Sequence, residues 1–227
     1  MRWTKPSVNE ALATLYLRLN GYFTTGLILH SSDWGESRTE VDCVAIRHPK
    51  HSQPERGIEC SKFLAITRDE VDIIICEVKS LSERPTFNEA LRTDVEAISA
   101  LVRWVGAFDE EKVASVAQRL QPLLQSGVSL EAARGGVVEG GYRVRPLLCC
   151  APCSEAQCAN QWCLVGSEIF DFIDECFNPS TRRDSCSTRY NFLQWGYALT
   201  PLVEYFKNVQ SVGAHNLADL YKHLKVA

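Results

Sequence analysis

The chain has 227 residues, which is enough for one sizeable domain with a substantial hydrophobic core. Its composition, 45% hydrophobic and 23% charged, is ordinary for a folded protein. The formal net charge of −4 argues against a protein that coats nucleic acid through bulk positive charge, although it is compatible with a local basic groove. No apolar run reaches the roughly 20 residues needed to cross a bilayer, and the opening MRWTKPSVNE lacks the apolar stretch of a secretory signal.

Ten cysteines bear on the compartment in which the chain works. Several lie inside apolar, strand-like runs, where a reduced thiol serves as a small core residue: Cys43, Cys76, Cys149 and Cys150. We therefore expect a protein of the reducing cytoplasm, with no membrane partner.

The first part of the chain predicts one helix followed by strands. The helix covers residues 7–19, where apolar residues recur at helical spacing, and Gly21 ends it. Strands are predicted at residues 26–30, 39–47, 63–67 and 71–79, with a polar loop before the third. The last strand is apolar on both faces until its end, which is typical of a central strand covered on two sides.

The second part predicts mainly helices, with two further strands. Helices are expected at 87–105 and 110–124, strands at 142–151 and 162–166, a helix capped by Ser167, and a helical stretch at 188–224 that Pro201 kinks or divides. The glycine-rich segment GGVVEGG is expected to interrupt regular structure before the strand that starts at residue 142. This order predicts one α/β domain over residues 1–227, with a mixed central sheet flanked by helices and a helical carboxy-terminal extension at about 188–227.

Charged side chains stand where two predicted strands carry their apolar faces. Alternation along the predicted strand at 71–79 places Glu77 and Lys79 on one face. In the predicted strand at 39–47 it places Asp42 on the same face as Val44. A carboxylate and an ammonium at the end of a buried apolar face cost free energy unless they are paired or bind something. Two neighbouring strands can therefore present Asp42 and Glu77 to one divalent cation, with Lys79 beside it.

The expected cation is Mg²⁺, for which Mn²⁺ substitutes. Hard oxygen ligands suit Mg²⁺, which keeps several waters and accepts phosphate oxygens as further ligands. Such an ion lowers the pKa of a bound water and stabilises charge on phosphoryl oxygens. Lys79 is placed to orient the attacking water or to neutralise the developing charge.

This combination of elements resembles the PD-(D/E)XK nuclease superfamily. The similarity consists of a first helix with a Glu, a strand carrying Asp42 in EVDCVAIR, and a strand ending in Glu77-Val78-Lys79, and it covers roughly the first half of the chain. It implies a restriction-endonuclease-like fold and Mg²⁺-dependent hydrolysis of phosphodiester bonds, in DNA, with Asp42 and Glu77 as metal ligands and Lys79 as the catalytic lysine. Some members add a carboxylate from the first helix, for which Glu10 is the candidate. The sequence departs from the pattern because Val41 stands where the motif has a proline.

Two of these assignments have competitors. Asp72 is a rival for the first acid, but alternation puts it on the face opposite Glu77. Ser7-Val8-Asn9-Glu10 fits a capping box, in which Glu10 would bond back to the helix N-terminus. We favour capping over catalysis for Glu10.

The cysteine cluster around residues 149–163 supports a different hypothesis. Cys150-x-x-Cys153 has zinc-knuckle spacing, and Cys158 and Cys163 could complete four thiolate ligands. The four-residue gaps after Cys153 are unlike the usual paired knuckles. We favour core positions for these cysteines and do not expect a structural Zn²⁺.

Arginines offer candidate contacts to nucleic acid. Arg92 and Arg103 are eleven residues apart and are predicted to project from one helix face, and Arg182 and Arg183 precede the aromatic Tyr190. Such residues contact phosphates or stack on bases. The competing interpretation is ordinary surface charge, which is the commoner role residue by residue.

Three functions are therefore compatible with the sequence. The first is a Mg²⁺-dependent nuclease, either endonuclease or exonuclease. The second is a nuclease-like module without activity, whose helical carboxy-terminal part could dock a protein partner or a second copy of the chain. The third is a zinc-stabilised interaction protein.

Overall fold

The computed structural model describes residues 2–30, 37–54, 57–80, 85–158, 161–179, 192–208 and 215–226. Within these ranges the chain forms six strands and eight α-helices. The strands are β1 Phe23–His30, β2 Ser37–Arg47, β3 Val71–Val78, β4 Val137–Glu139, β5 Tyr142–Cys150 and β6 Cys163–Val165. The helices are α1 Lys5–Leu19, α2 Glu89–Thr93, α3 Val95–Val105, α4 Glu110–Leu120, α5 Leu130–Gly135, α6 Gly166–Phe177, α7 Thr200–Asn208 and α8 Leu217–His223.

The strands form one mixed sheet. The first three make an antiparallel meander in the order β1-β2-β3, and β5 then pairs with β3 in parallel. A parallel connection needs a long crossover, which the helices α2 to α5 provide. The short strands β4 and β6 pair with the beginning and the end of β5, respectively.

Helices cover both faces of the sheet and bury two apolar cores. The first core joins α1, α6, α7 and α8 to one face, and Ile74 and Cys76 of β3 belong to it. The second core joins α2, α3 and α4 to the other face and includes Ile73 and Ile75. The predicted α/β class with a mixed sheet flanked by helices is thus confirmed, and β3 is a central strand that is apolar on both sides.

The first helix starts earlier than the sequence predicts. It begins at Lys5 because Thr4 is its N-cap, and Thr4 and Ser7 form the capping box through their side chains and backbone amides. The predicted box from Ser7 to Glu10 is therefore wrong. Glu10 lies in the second turn of α1 and has no capping role.

Several predicted boundaries also differ, each for a local reason. Residues 87–105 form two helices, because Asp94 has extended backbone angles and its side chain caps α3. Residues 63–67 contain a 3₁₀ turn at Lys62–Leu64 instead of a strand. Val137–Glu139 inside GGVVEGG forms a short strand, where the paired glycines were expected only to break the chain. Ser167 does not cap α6, because this helix already begins at Gly166 and has no side-chain cap.

All described cysteines except Cys60 are buried in the two cores, with one departure from the expected reduced thiols. Cys150 and Cys153 form a disulfide, so neither can act as a thiolate ligand while it is bonded. Cys149, the neighbour of Cys150 on β5, belongs to the opposite core, as alternation predicts.

The carboxy-terminal part is helical where it is described. Pro201 is the second residue of α7, where a missing amide hydrogen costs nothing, so it starts that helix instead of kinking it. No helix in the described ranges combines the length and the apolar character needed to cross a membrane.

Candidate active site

Asp42 lies at an irregularity in β2 that changes the direction of its side chain. The pairing of β1 with β2 runs from Thr25 opposite Val44 to Leu27 opposite Val41, so that two residues of β2 face the single Gly26. This is a β-bulge, a device that redirects side chains and interrupts simple alternation. As a result, Asp42 Oδ2 reaches across to β3 and accepts the backbone amide of Val78 at 2.6 Å.

Glu77 and Lys79 stand together at the end of β3. Glu77 is 6% exposed, and its Oε1 accepts a hydrogen bond from Lys79 Nζ at 2.7 Å. Lys79 follows the strand directly, and its backbone amide donates to Cys149 of β5 at 2.7 Å. The Lys79 ammonium is therefore held beside Glu77, and 27% of the Lys79 side chain remains exposed to solvent.

Asn88 supports this arrangement from the start of α2. Its Oδ1 accepts the amide of Leu91 and so caps the helix. Its Nδ2 donates to the Glu40 carbonyl at 3.1 Å and lies 3.4 Å from Glu77 Oε2. The N-cap thus connects α2 to both site strands. The sequence analysis does not identify Asn88, although an Asn directly before EALR is a recognisable N-cap signal.

Four carboxyl groups share this end of the sheet. The pKa of Glu77 is raised by burial and then by the negative charge of Asp42, and the nearby Lys79 opposes the shift. The pKa of Asp42 is raised by burial and by Glu40, against the Val78 hydrogen bond and Lys79. The pKa of Glu10 is raised by burial, Asp42 and Glu40.

The predicted residues are therefore brought together. Glu10 from α1, Asp42 from β2, and Glu77 with Lys79 from β3 act on one another electrostatically. Glu40 is a fourth acid that the sequence analysis misses, although its position two residues before Asp42 in EVD is a usable signal. The rival Asp72 lies at the other end of β3, paired with Arg143 and Arg145.

This donor set fits a hard divalent cation. Burial and neighbouring negative charge disfavour the ionised form of these carboxylates, and a bound cation would favour it. Within the described ranges, however, no three His, Cys, Asp or Glu side chains are grouped closely enough to form a complete protein cage. An ion here would take the two carboxylates of Asp42 and Glu77 and complete its shell with water or phosphate oxygens, as Mg²⁺ commonly does.

A hydrogen-bonded chain behind the site fixes the residue after Lys79. Asn9 of α1 is fully buried, and its Nδ2 donates to Ser80 Oγ at 3.1 Å. Tyr221 of α8 donates to Asn9 Oδ1 at 2.9 Å. The carboxy-terminal helix is therefore connected through α1 to the end of β3.

Two of the predicted nucleic-acid contacts, Arg92 and Arg103, lie in different helices. Arg92 lies in α2 and Arg103 in α3, so the expected common helix face is wrong, because Asp94 separates the two helices. Arg92 Nε donates to the Phe87 carbonyl, and Arg103 pairs with Glu110 at 2.6 Å. The predicted contacts at residues 182 and 183 lie outside the described residues.

Comparison with known protein families, with curated proteins and with solved structures found no match. The chemistry of the site is therefore inferred from its own residues and geometry.

Proposed function

We propose that this protein is a Mg²⁺-dependent nuclease of restriction-endonuclease-like fold that hydrolyses phosphodiester bonds in DNA. Asp42 and Glu77 would hold the metal ion, with Mn²⁺ able to replace it. Glu10 is an additional carboxylate on which the charge of Asp42 acts, and Lys79 is the catalytic lysine.

One observation carries the proposal. Neighbouring central strands present Asp42 and the Glu77–Lys79 pair at the same end of the sheet, where burial raises the pKa of both acids and the charge of Asp42 raises that of Glu77 further. The order of a helix with a Glu, an antiparallel meander with the acids, and a helical crossover to a parallel strand also agrees with the family resemblance.

The residues of the chain would divide the work of hydrolysis. When bound, Mg²⁺ supplies an activated water and neutralises charge on the phosphoryl oxygens. Lys79 Nζ, held 2.7 Å from Glu77 Oε1, would turn toward the substrate to orient the attacking water or to stabilise the negative charge. Asn88 would keep Glu77 in position, because it bonds to β2 and approaches Glu77 from α2.

A plasmid-nicking assay tests this function. We expect nicking of supercoiled DNA in Mg²⁺ or Mn²⁺, no nicking in EDTA, and a loss of at least about a hundredfold on Lys79→Ala, as is typical when a transition-state contact is removed. The matched control is Lys222→Ala, an exposed lysine paired with Asp219 far along the chain, which should keep full activity. Nicking that persists both in EDTA and in Lys79→Ala would overturn the mechanism.

A second candidate is an inactive nuclease-like module that binds DNA or assembles with a protein. It is favoured by the fact that Asp42 and Glu77 already hold partners inside the chain, the Val78 amide and Lys79. Under this alternative, the protein would bind labelled duplex DNA equally in Mg²⁺ and EDTA and leave it intact. Fluorescence anisotropy combined with product analysis on a gel separates the two functions.

A further inference from the structure

A polar cavity lies at the carboxy-terminal end of β2, beside Arg47. It has a volume of about 540 Å³, and Arg47, His51, Ser61, Lys62 and Arg68 are among the residues that line it. We call this cavity the basic pocket. Asp42 and Arg47 are five residues apart on β2, or about 17 Å at the rise of an extended strand, so the pocket is separate from the candidate active site.

Arg47 forms the buried wall of the basic pocket. It is 6% exposed, and its guanidinium donates to the carbonyls of Asn20 at 3.0 Å and His51 at 3.3 Å, with a longer contact to His48. These acceptors are neutral. No carboxylate in the described part of the chain forms an ion pair with Arg47, so none of the described partners of this buried guanidinium carries a compensating negative charge.

The neighbouring buried network leaves that charge uncompensated. The pairing of β2 with β3 puts Arg47 opposite Asp72, but Asp72 is engaged by Arg145 at 2.5 Å and by Arg143 at 3.2 Å. Two buried arginines thus share the buried Asp72 carboxylate, and the described contacts include no ion pair from it to Arg47. Burying a charge without a partner is costly, and an anion beside Arg47 would remove that cost.

The mouth of the basic pocket is also mainly positive. Lys62 and Arg68 are exposed, and within the described ranges neither is paired with a carboxylate. Glu59 is the acidic residue of the described lining. The balance of charge in the pocket therefore favours a negatively charged ligand, with Glu59 opposing it.

We propose that the basic pocket binds a phosphate group, independently of the proposed nuclease site. Phosphate oxygens match the fork of hydrogen bonds that an arginine presents, and lysine adds a point charge. The hydroxyl of Ser61 in the same lining already donates to Glu168 Oε1 and accepts the Phe63 amide, so the charged side chains carry the recognition. The volume exceeds that of a phosphate alone, so the phosphate is part of a larger molecule, either a small phosphorylated compound or the backbone of a nucleic acid.

Isothermal titration calorimetry with inorganic pyrophosphate, at fixed ionic strength, is the first test. We expect saturable one-site binding in EDTA, and none for chloride at the same ionic strength. The double variant Lys62→Gln/Arg68→Gln should weaken binding by about tenfold or more per charge removed, since a charged hydrogen bond contributes about 1.5–3 kcal/mol. Glu59→Gln should tighten binding, because it removes the opposing charge.

Matched controls separate a site from a general charge effect. Arg119→Gln/Lys222→Gln makes the same change in net charge at exposed positions elsewhere and should bind pyrophosphate as the wild type does. Arg47→Met should abolish binding, with circular dichroism checking its fold. Equal weakening in both double variants, or no binding to the wild type, would overturn the proposal.

Competition identifies the source of the phosphate. If pyrophosphate displaces a labelled single-stranded oligonucleotide in EDTA, and Lys62→Gln/Arg68→Gln weakens the oligonucleotide too, the ligand is a nucleic-acid backbone. If pyrophosphate binds without competition, the ligand is a small phosphorylated molecule. Both outcomes support phosphate recognition, and neither depends on Asp42 or Glu77.

Discussion

At the level of single residues, the Asp42 carboxylate meets two opposing demands. The hydrogen bond from the Val78 amide favours its ionised form, while burial and Glu40 disfavour it, and the net effect raises its pKa. Ionised Asp42 therefore costs stability in the absence of a metal ion. The same charge is what a divalent cation would bind.

We predict that Asp42→Asn stabilises the metal-free protein at pH 8 but not at pH 4. An asparagine Oδ1 can still accept the Val78 amide, so the change removes mainly charge. Because the folded-state pKa lies above the unfolded value of about 4, stability due to protonated Asp42 is present at low pH and is lost as pH rises through the folded-state pKa. The gain should not exceed about 1 kcal/mol for this partly exposed group, or about 2–4 °C in the melting temperature.

Thermal unfolding followed by circular dichroism measures this effect. Asp171→Asn, an exposed acid within α6, is the matched control and should show little change at either pH. Excess Mg²⁺ should raise the melting temperature of the wild type and leave Asp42→Asn unaffected. A lower melting temperature for Asp42→Asn at pH 8 without metal would contradict the assignment of the raised pKa.

The sequence predicts the identity of the site acids better than their partners. Asp42, Glu77 and Lys79 are recognisable because charge at the end of an apolar strand needs a reason. The capping role predicted for Glu10 is wrong because Ser7 only resembles an N-cap. The N-cap is Thr4, which directly precedes Lys5 and Pro6 in the first turn of the helix. The basic pocket is not predictable, because Arg47 and Lys62 come together only through the path of a polar loop.

At the level of elements, helix starts connect the outer layer of the molecule to the site. Asn88 caps α2 and contacts both β2 and Glu77, and Asp94 ends the same helix and caps α3. The apolar pattern over residues 87–105 is continuous and does not reveal this division, because α2 and α3 both bury their apolar residues in the second core. The apolar periodicity alone therefore predicts that this segment is helical and packs on the sheet, but it does not predict the helix break at Asp94.

We predict that Asn88→Asp lowers activity and makes stability more dependent on pH. Aspartate is as good an N-cap as asparagine, so α2 should persist. The change removes the Nδ2 donor and adds a negative charge near Glu77, whose pKa should rise further. Stability should then fall more between pH 4 and pH 8 than in the wild type, as measured by urea unfolding at both values. Asn88→Ser, which keeps a cap without the charge, is the control; an equal pH dependence in the two variants would contradict the proximity to Glu77.

At the level of the whole molecule, the central strands carry cysteines into both cores. Cys149 faces the first core and Cys150 the second, where Cys158 and Cys163 also lie with their sulfur atoms 3.1 Å apart. Burial raises the pKa of Cys43 to about 12 and that of Cys149 still further. Low exposure and a low thiolate fraction both slow the reaction of these thiols.

We predict that iodoacetamide labels the folded protein at Cys60 well before any other cysteine of the described ranges. Cys60 is the partly exposed free thiol among them, and its described counterparts are buried. Peptide mass spectrometry after a brief reaction measures the order, and urea should make the buried thiols reactive together. Cys60→Ser should remove the early product, whereas early labelling of Cys43 or Cys76 would show that the central sheet opens locally.

The β-bulge in β2 makes the length of this strand as important as its composition. Two residues of β2, Asp42 and Cys43, span the distance that Gly26 spans alone on β1. Deleting Cys43 would remove the bulge and leave Val41 and Val44 two positions apart, so both would still face the second core, while Asp42 would take the position of Cys43 on the face of the first core. Such a deletion would therefore keep the pairing of β1 with β2 but turn the Asp42 carboxylate away from Glu77, which shares a strand face with Ile73 and Ile75 of the second core.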